Sequence, residues 1–260
     1  MKRTIDFSRY SAIGIGPVAE VTLLDKITPP PPGSFIIGGA NNLLVSPTPP
    51  PLVMLSRRFD YIRLEEDRLI IGGATKSGRI FSFCKRHDIG GFEFLGKLPG
   101  TLGGLLKMNA GMKEDEIFNR LVSLRTASGV KQKGEIRYGY RTTDIYEVIF
   151  EGTFRIRKGF DSARVERFSK MRANQPKERS AGSVFKNPPG EYAGRLIEAK
   201  GKRIGDAMFS DLHANFLVNL ANASFEDATA LITLAKTRVR EKFGIVLEEE
   251  VIILERDQTK

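Results

Sequence analysis

The chain has 260 residues, 41% hydrophobic and 28% charged, and its 41 Lys and Arg against 31 Asp and Glu leave a formal charge of +10. That balance fits a soluble globular protein with room for two or three modest domains, and the charge favours an anionic partner. A lone cysteine, Cys84, excludes an internal disulfide and points to a reducing cytoplasm; no apolar run approaches the ~18 residues of a membrane span, and MKRTIDFSRYS lacks the apolar core of a signal peptide.

In chain order, the proline runs at 29–32 and 47–51 read as extended connectors. Between them "SFIIGGANNLLVS" predicts an apolar strand at 35–37, a turn at Gly38–Gly39, two asparagines and a second apolar run at 43–45. Backbone N–H groups in such a loop can face an anion, although an ordinary hairpin fits the same residues. "YIRLEEDRLIIGG" predicts a hairpin turning at Glu65–Arg68. The apolar Ile80, Phe81, Phe83 and Cys84 predict a helix that Gly90 and Gly91 stop, with Cys84 buried and His87 in a polar role near its end.

"GKLPGTLGGLLKMNAGM", 96–112, holds five glycines and no acid, and lets backbone approach a flat or phosphorylated ligand closely. It is neither a P-loop nor a Rossmann fingerprint. Residues 119–157 alternate in short strand-like runs. From Arg155 to Arg179, nine basic residues stand against three acids, a solvated face or an anion site. They lead into "SAGSVFKNPPG", where Ser183 sits among small residues. "YAGRLIEAKG" predicts a short helix closed by Gly201, and "HANFLVNL" a strand. The capping box Ser224–Asp227, the stripe Ala228, Leu231, Ile232, Ala235, Val239 and Phe243, and the stop at Gly244 define a helix over 225–243. The chain then reaches "IVLEEEVIIL".

Hydrolysis by Ser183 needs a base beside it and a third group to orient that base, and the only histidines are His87 and His213. His213 enters an apolar strand and reads as structural. Two isolated histidines and one cysteine make no metal site. Zinc spacing, an RNP-like aromatic pattern and a basic tail are all missing, which argues against nucleic acid. Redox or group-transfer chemistry with an organic cofactor remains.

"IGGANNLLV", "GKLPGTLGGLLKMNAG", "YGYR", "AGSVFKNP", "AGRLIEAKG", "HANFLVN" and "LEEEV" occur in the order and approximate spacing of the UDP-N-acetylenolpyruvoylglucosamine reductases, also called UDP-N-acetylmuramate dehydrogenases. The chain resembles the family's shorter subtype over nearly its whole length, since no room exists between Arg141 and Ser183 for the tyrosine-bearing loop of the longer one. The resemblance implies an α+β protein: an FAD-binding fold of the vanillyl-alcohol-oxidase-like kind with subdomains at 1–55 and 56–160, then an α+β substrate-binding domain at 161–260 whose last strand can return to the FAD domain. It implies bound FAD, NADPH as hydride donor, a UDP-sugar enolpyruvyl ether as substrate, and a cytoplasmic monomer without nucleic-acid or membrane partners.

By the same resemblance, Gly38, Gly39, Ala40, Asn41, Asn42 and Leu43 match the loop around the FAD diphosphate. Pro99, Gly100, Thr101, Gly103, Gly104, Asn109, Ala110 and Gly111 match the second FAD-contacting loop. Arg141, Ser183 and Glu250 fall on the catalytic positions, with Arg141, Lys186, Asn187 and Arg179 toward substrate. The chemistry suits those types: a guanidinium fork can hold a carboxylate as charge spreads into it, and a positioned hydroxyl can protonate a strongly basic carbon. Without the resemblance, Glu248–Glu250 reads first as a solvated edge before a buried strand. Two departures stand out: Ala40-Asn41 replaces the usual Gly-Ser, placing a Cβ where φ > 0 costs energy, and Thr142-Thr143 follows the Tyr-Arg pair. Another FAD oxidoreductase of the same fold is the alternative function; a non-catalytic basic domain is a more distant one.

Overall fold

The computed structural model describes residues 1–256, in two compact units. The first comprises Met1–Arg3, Val21–Gly39 and Pro51–Ala173; the second comprises Thr4–Glu20, Ala40–Pro50 and the chain from Asn174 onward. The architecture is α+β.

In the first unit, five antiparallel strands run in the order Gly129–Gln132, Leu121–Thr126, Glu151–Arg155, Arg68–Gly72, Ile62–Glu65. The expected hairpin is there, closed by the Glu65↔Arg68 pair with Glu66 at φ 51°. Leu69, Ile71 and Phe154 of the sheet share one core with Ile80 and Cys84 of the helix Ser77–Arg86, Leu102, Leu105 and Leu106 of the helix Leu102–Lys107, and Phe168 of the helix Ser162–Met171. Burial pushes the Cys84 thiol pKa up, so it behaves as a small hydrophobe.

The helix Ser77–Arg86 ends earlier than its following glycines predict. His87 caps it, and Asp88 takes the left-handed turn at φ 55° while its carboxylate accepts the Phe160 N–H at 2.9 Å. An aspartate stabilised by its own side-chain bond does what glycine was expected to do. Beside this core, the strands Val18–Leu24 and Phe35–Ile36 each pair in parallel with Leu52–Leu55. Leu24, Val53, Phe59, Val148 and Phe150 fill the space they cover.

The second unit holds a four-stranded antiparallel sheet ordered Arg179–Ser183, Phe216–Asn219, Ala207–Phe209, Arg203–Ile204. The helix Phe225–Phe243 forms with the expected caps, Ser224 and Asp227 exchanging capping bonds and Gly244 ending it at φ 68°, while Phe243, expected in the apolar stripe, is exposed in its last turn. Its stripe buries Ala228, Leu231, Ile232, Ala235 and Val239, each large side chain contributing about 1.5–3 kcal/mol, against Phe185, Leu196, Phe209 and Leu217. The helix Ala193–Ile197 closes at Glu198, itself left-handed at φ 45°, three residues before Gly201. The final strand, Ile252–Leu254, lies parallel to Leu43–Val45 with Ile252 opposite Leu43.

Candidate active site

In the first unit, the two glycine segments meet. A Cβ on Gly38 would lie 2.5 Å from Thr101 Oγ1 and 3.9 Å from the Gly104 amide, so only glycine permits this approach. The second segment hangs on backbone: Ser77 N–H donates to Gly100 O, Leu102 N–H to Thr75 O and Gly103 N–H to Gly73 O. Gly103 therefore spends its amide inside the fold. Gly104 is exposed, and a Cβ there meets only Thr101 Oγ1 at 3.6 Å. That leaves an open glycine surface beside a helix start, which a flat or anionic group could approach closely. Pro99 lies exposed just ahead of it.

Asn109 and Ala110 are buried. The Asn109 amide donates to Glu116 Oε2 at 2.7 Å and to Gly139 O at 3.1 Å. The latter bond ties this segment to the hairpin Tyr138–Gly139/Thr142–Thr143, whose tip is Tyr140-Arg141. Arg141 has φ 57°, an unusual value for a non-glycine residue and one that accumulates at functional sites. Its Nη2 donates to Gly111 O at 2.8 Å, which orients the guanidinium against the second glycine segment. Arg172 caps the helix Ser162–Met171, and burial together with the like charge of Arg141 lowers its pKa. Two guanidiniums thus share one neighbourhood, which attracts an anion. Sequence reasoning left Arg172 unresolved within the basic stretch.

In the second unit, Ala40 is buried with φ 48°, so the loop keeps its left-handed turn despite the extra methyl. Left-handed strain of roughly 1–2 kcal/mol is offset by a buried methyl worth about 0.8 kcal/mol and by the smaller unfolded-state entropy of Ala against Gly. The Ala40 carbonyl accepts the Ala12 N–H at 3.1 Å. Asn42 reaches the C-terminal segment twice: its Nδ2 donates to Glu250 O at 2.8 Å and its carbonyl accepts the Ile252 N–H at 3.0 Å. Leu43 follows, buried in the strand Leu43–Val45, and Asn41 is half-buried.

Ser183 is aimed by a β-bulge. Ser180 pairs with Val218 and Ser183 with Phe216, so the strand carries one residue more than its partner over this interval. Gly182 absorbs it at φ 82° with nothing near its missing Cβ, so backbone conformation, not space, requires glycine there. The Ser183 hydroxyl makes no hydrogen bond among the described residues. The next residue, Val184, accepts the Glu250 N–H at 2.7 Å and the Val251 N–H at 3.2 Å, which ties Glu250 to the serine segment.

The other residues assigned toward substrate have partners. Lys186 pairs with Glu248, and Asn187 Oδ1 accepts the Ala193 N–H at the start of a helix. The guanidinium of Arg179 lies over Gly14 and donates to Ser11 O at 3.2 Å, bracing the turn before Ala12. His213 accepts the Asn215 N–H on Nδ1, and burial lowers its pKa, in keeping with a neutral structural histidine. Among the described residues no cluster of His, Cys, Asp and Glu could hold a metal ion, and no helix is long and apolar enough to cross a membrane.

Residues 175–254 match the family described as UDP-N-acetylenolpyruvoylglucosamine reductase, C-terminal domain. The chain is similar over nearly its whole length to curated reductases of that name. It is 49% identical to that of Helicobacter hepaticus over 96% of this chain and 98% of the relative, and 47% identical to that of Campylobacter jejuni strain RM1221 over 96% and 99%. Among solved structures, the crystal structure of the reductase from Thermus caldophilus superposes with a TM-score of 0.85 at 29% identity, covering 98% of this chain and 100% of that one. With identity at this level over nearly the whole chain, the chain belongs to the UDP-N-acetylenolpyruvoylglucosamine reductase family.

Proposed function

We infer that Arg141, Ser183 and Glu250 are the reacting side chains of this reductase. The reaction is the family's: UDP-N-acetylglucosamine enolpyruvate is reduced to UDP-N-acetylmuramate at the expense of NADPH, in peptidoglycan precursor synthesis. When bound, FAD supplies the hydride that adds to the terminal carbon of the enolpyruvyl double bond. Gly38 to Leu43 and Pro99 to Gly111 are the segments proposed to hold it, with the open face at Gly104 and the left-handed turn at Ala40 as the fitted features.

Hydride addition leaves negative charge on the α-carbon and its carboxylate. The planar fork of Arg141, oriented by its bond to Gly111, takes up the carboxylate, and Arg172 strengthens the positive field there. Ser183 gives the α-carbon its proton, and Glu250 serves the substrate carboxylate. Lys186, Asn187 and Arg179 are the residues proposed toward the rest of the substrate. Their hydrogen bonds support a framing role for Asn187 and Arg179 as well.

The bulge carries this reading: an extra residue and a left-handed glycine turn out a serine whose hydroxyl has no hydrogen-bond partner among the described residues. Rapid-mixing absorbance tests it by half-reaction. Ser183→Ala should leave bleaching by NADPH near wild type and slow recovery on adding substrate by ~10²–10⁴, the usual loss of a positioned general acid. Ser183→Cys should recover part of that rate. Equal slowing of both halves removes Ser183 from the role.

A further inference from the structure

The antiparallel ladder that carries Ser183 stops at the Ser183↔Phe216 pair. Beyond it the partner strand turns away, with Phe216 N–H bonded to His213 O. Val184 and Phe185 nevertheless need polar partners, because both are buried. Asn215 supplies them. Its carbonyl accepts the Val184 N–H at 2.8 Å, its Oδ1 accepts the Phe185 N–H at 2.9 Å, and its Nδ2 donates to Phe185 O at 2.8 Å. The carboxamide offers Phe185 one acceptor and one donor, as the main chain of a neighbouring strand would, and so extends the ladder by one residue with a side chain.

On the opposite edge of the same three residues lies the glutamate run. Val184 O accepts the N–H groups of Glu250 and Val251, Lys186 N–H donates to Glu248 O, and Phe185 bridges to Glu249. The segment from Val184 to Lys186 is thus held on one side by main-chain bonds to Glu248, Glu250 and Val251 and on the other by Asn215, itself 3% exposed. It starts at the residue after Ser183 and carries the Glu250 backbone.

We propose that Asn215 is a positioning residue, whose side-chain amide holds Ser183 and Glu250 in one frame by standing in for the strand missing beside Phe185. The proposal rests on the assignment of Ser183 and Glu250 above. It makes Asn215 matter for the proton-delivering half of the reaction and not for the half that consumes NADPH.

Asn215→Asp is the sharpest variant. It keeps size and the acceptor for Phe185 N–H, but replaces the donor with a carboxylate oxygen facing Phe185 O. Recovery of absorbance on adding the enolpyruvyl UDP-sugar should slow by at least ~10-fold, with bleaching by NADPH within about twofold of wild type. Run in D₂O, the substrate half-reaction should also show a larger solvent isotope effect than wild type, because a misplaced donor makes proton transfer limiting. If Asn215→Asp does not fold, Asn215→Gln, which keeps the amide but moves it by one methylene, should give the same split and the same rise. Equal slowing of both halves with an unchanged isotope effect reduces Asn215 to a purely structural residue and overturns the proposal, as does wild-type behaviour. Ser183→Ala run in parallel separates the two ideas. If it leaves substrate-driven recovery intact, the assignment of Ser183 is at fault; if it slows recovery while neither Asn215 variant does, only the positioning role fails.

Discussion

Gly103 and Gly104 are adjacent and lack a side chain for different reasons. A Cβ on Gly103 would press to 3.3 Å and 3.4 Å on the backbone carbonyls of Gly73 and Ile149, which lie just outside the strands Arg68–Gly72 and Glu151–Arg155 and cannot swing aside as a flexible side chain would. On Gly104 it would meet almost nothing within the protein. Gly103→Val should therefore lower the thermal midpoint of the apo-protein, at a cost of about 1–3 kcal/mol for overpacking. Gly104→Val should leave that midpoint close to wild type and abolish retention of FAD, read by flavin fluorescence titration. Wild-type FAD affinity in Gly104→Val would remove this face from the cradle. From sequence alone the two glycines were indistinguishable, because spacing reports that backbone comes close to something, not to what.

Among the elements, the hairpin of Leu121–Thr126 and Gly129–Gln132 is pinned by one carboxylate. Glu147 bonds Lys131 at 2.8 Å and accepts from Ser128 through both its N–H and its hydroxyl. The Lys131 bond, then those from Ser128, hold its pKa at about 2. A carboxyl depressed on folding adds stability above its unfolded pKa of roughly 4.3 and loses it as pH falls toward 2. Glu147→Gln should lower the melting midpoint at pH 7, and the gap from wild type should close between about pH 4 and pH 2. A gap that stays constant over that window would contradict the assignment. Such elements differ in how openly the sequence announces them. The helix Phe225–Phe243 was legible because cap, stripe and terminal glycine agree. The ends at Arg86 and Ile197 were misplaced because Asp88 and Glu198 take left-handed turns that glycines were expected to supply. The bulge before Ser183 left only "AGS" as its trace. Asn215 left none, since nothing local shows that a side chain will replace a missing strand.

For the molecule as a whole, +10 against an anionic nucleotide and a UDP-sugar implies steering. Both kcat/KM values should fall several-fold as ionic strength rises from about 0.02 to 0.2 M, where the Debye length shrinks below about 10 Å, while kcat changes little. Salt-independent kcat/KM for both substrates would refute it. The pairing of Leu43–Val45 with Ile252–Leu254 acts at this scale too, but in time. Asn42 and Glu250 are 208 residues apart in the chain, and among the described residues this last strand is the only ladder partner of Leu43–Val45. At synthesis rates of roughly 5–20 residues per second, the glycine-loop strand leaves the ribosome about ten to forty seconds before its partner exists. Throughout that interval a short apolar edge stays unpaired, the kind of surface that recruits chaperones or other chains. Nascent chains of this protein are therefore expected to become competent for the cofactor only after Glu250 and Ile252–Leu254 have been made, when the residues that complete its loop are at last available.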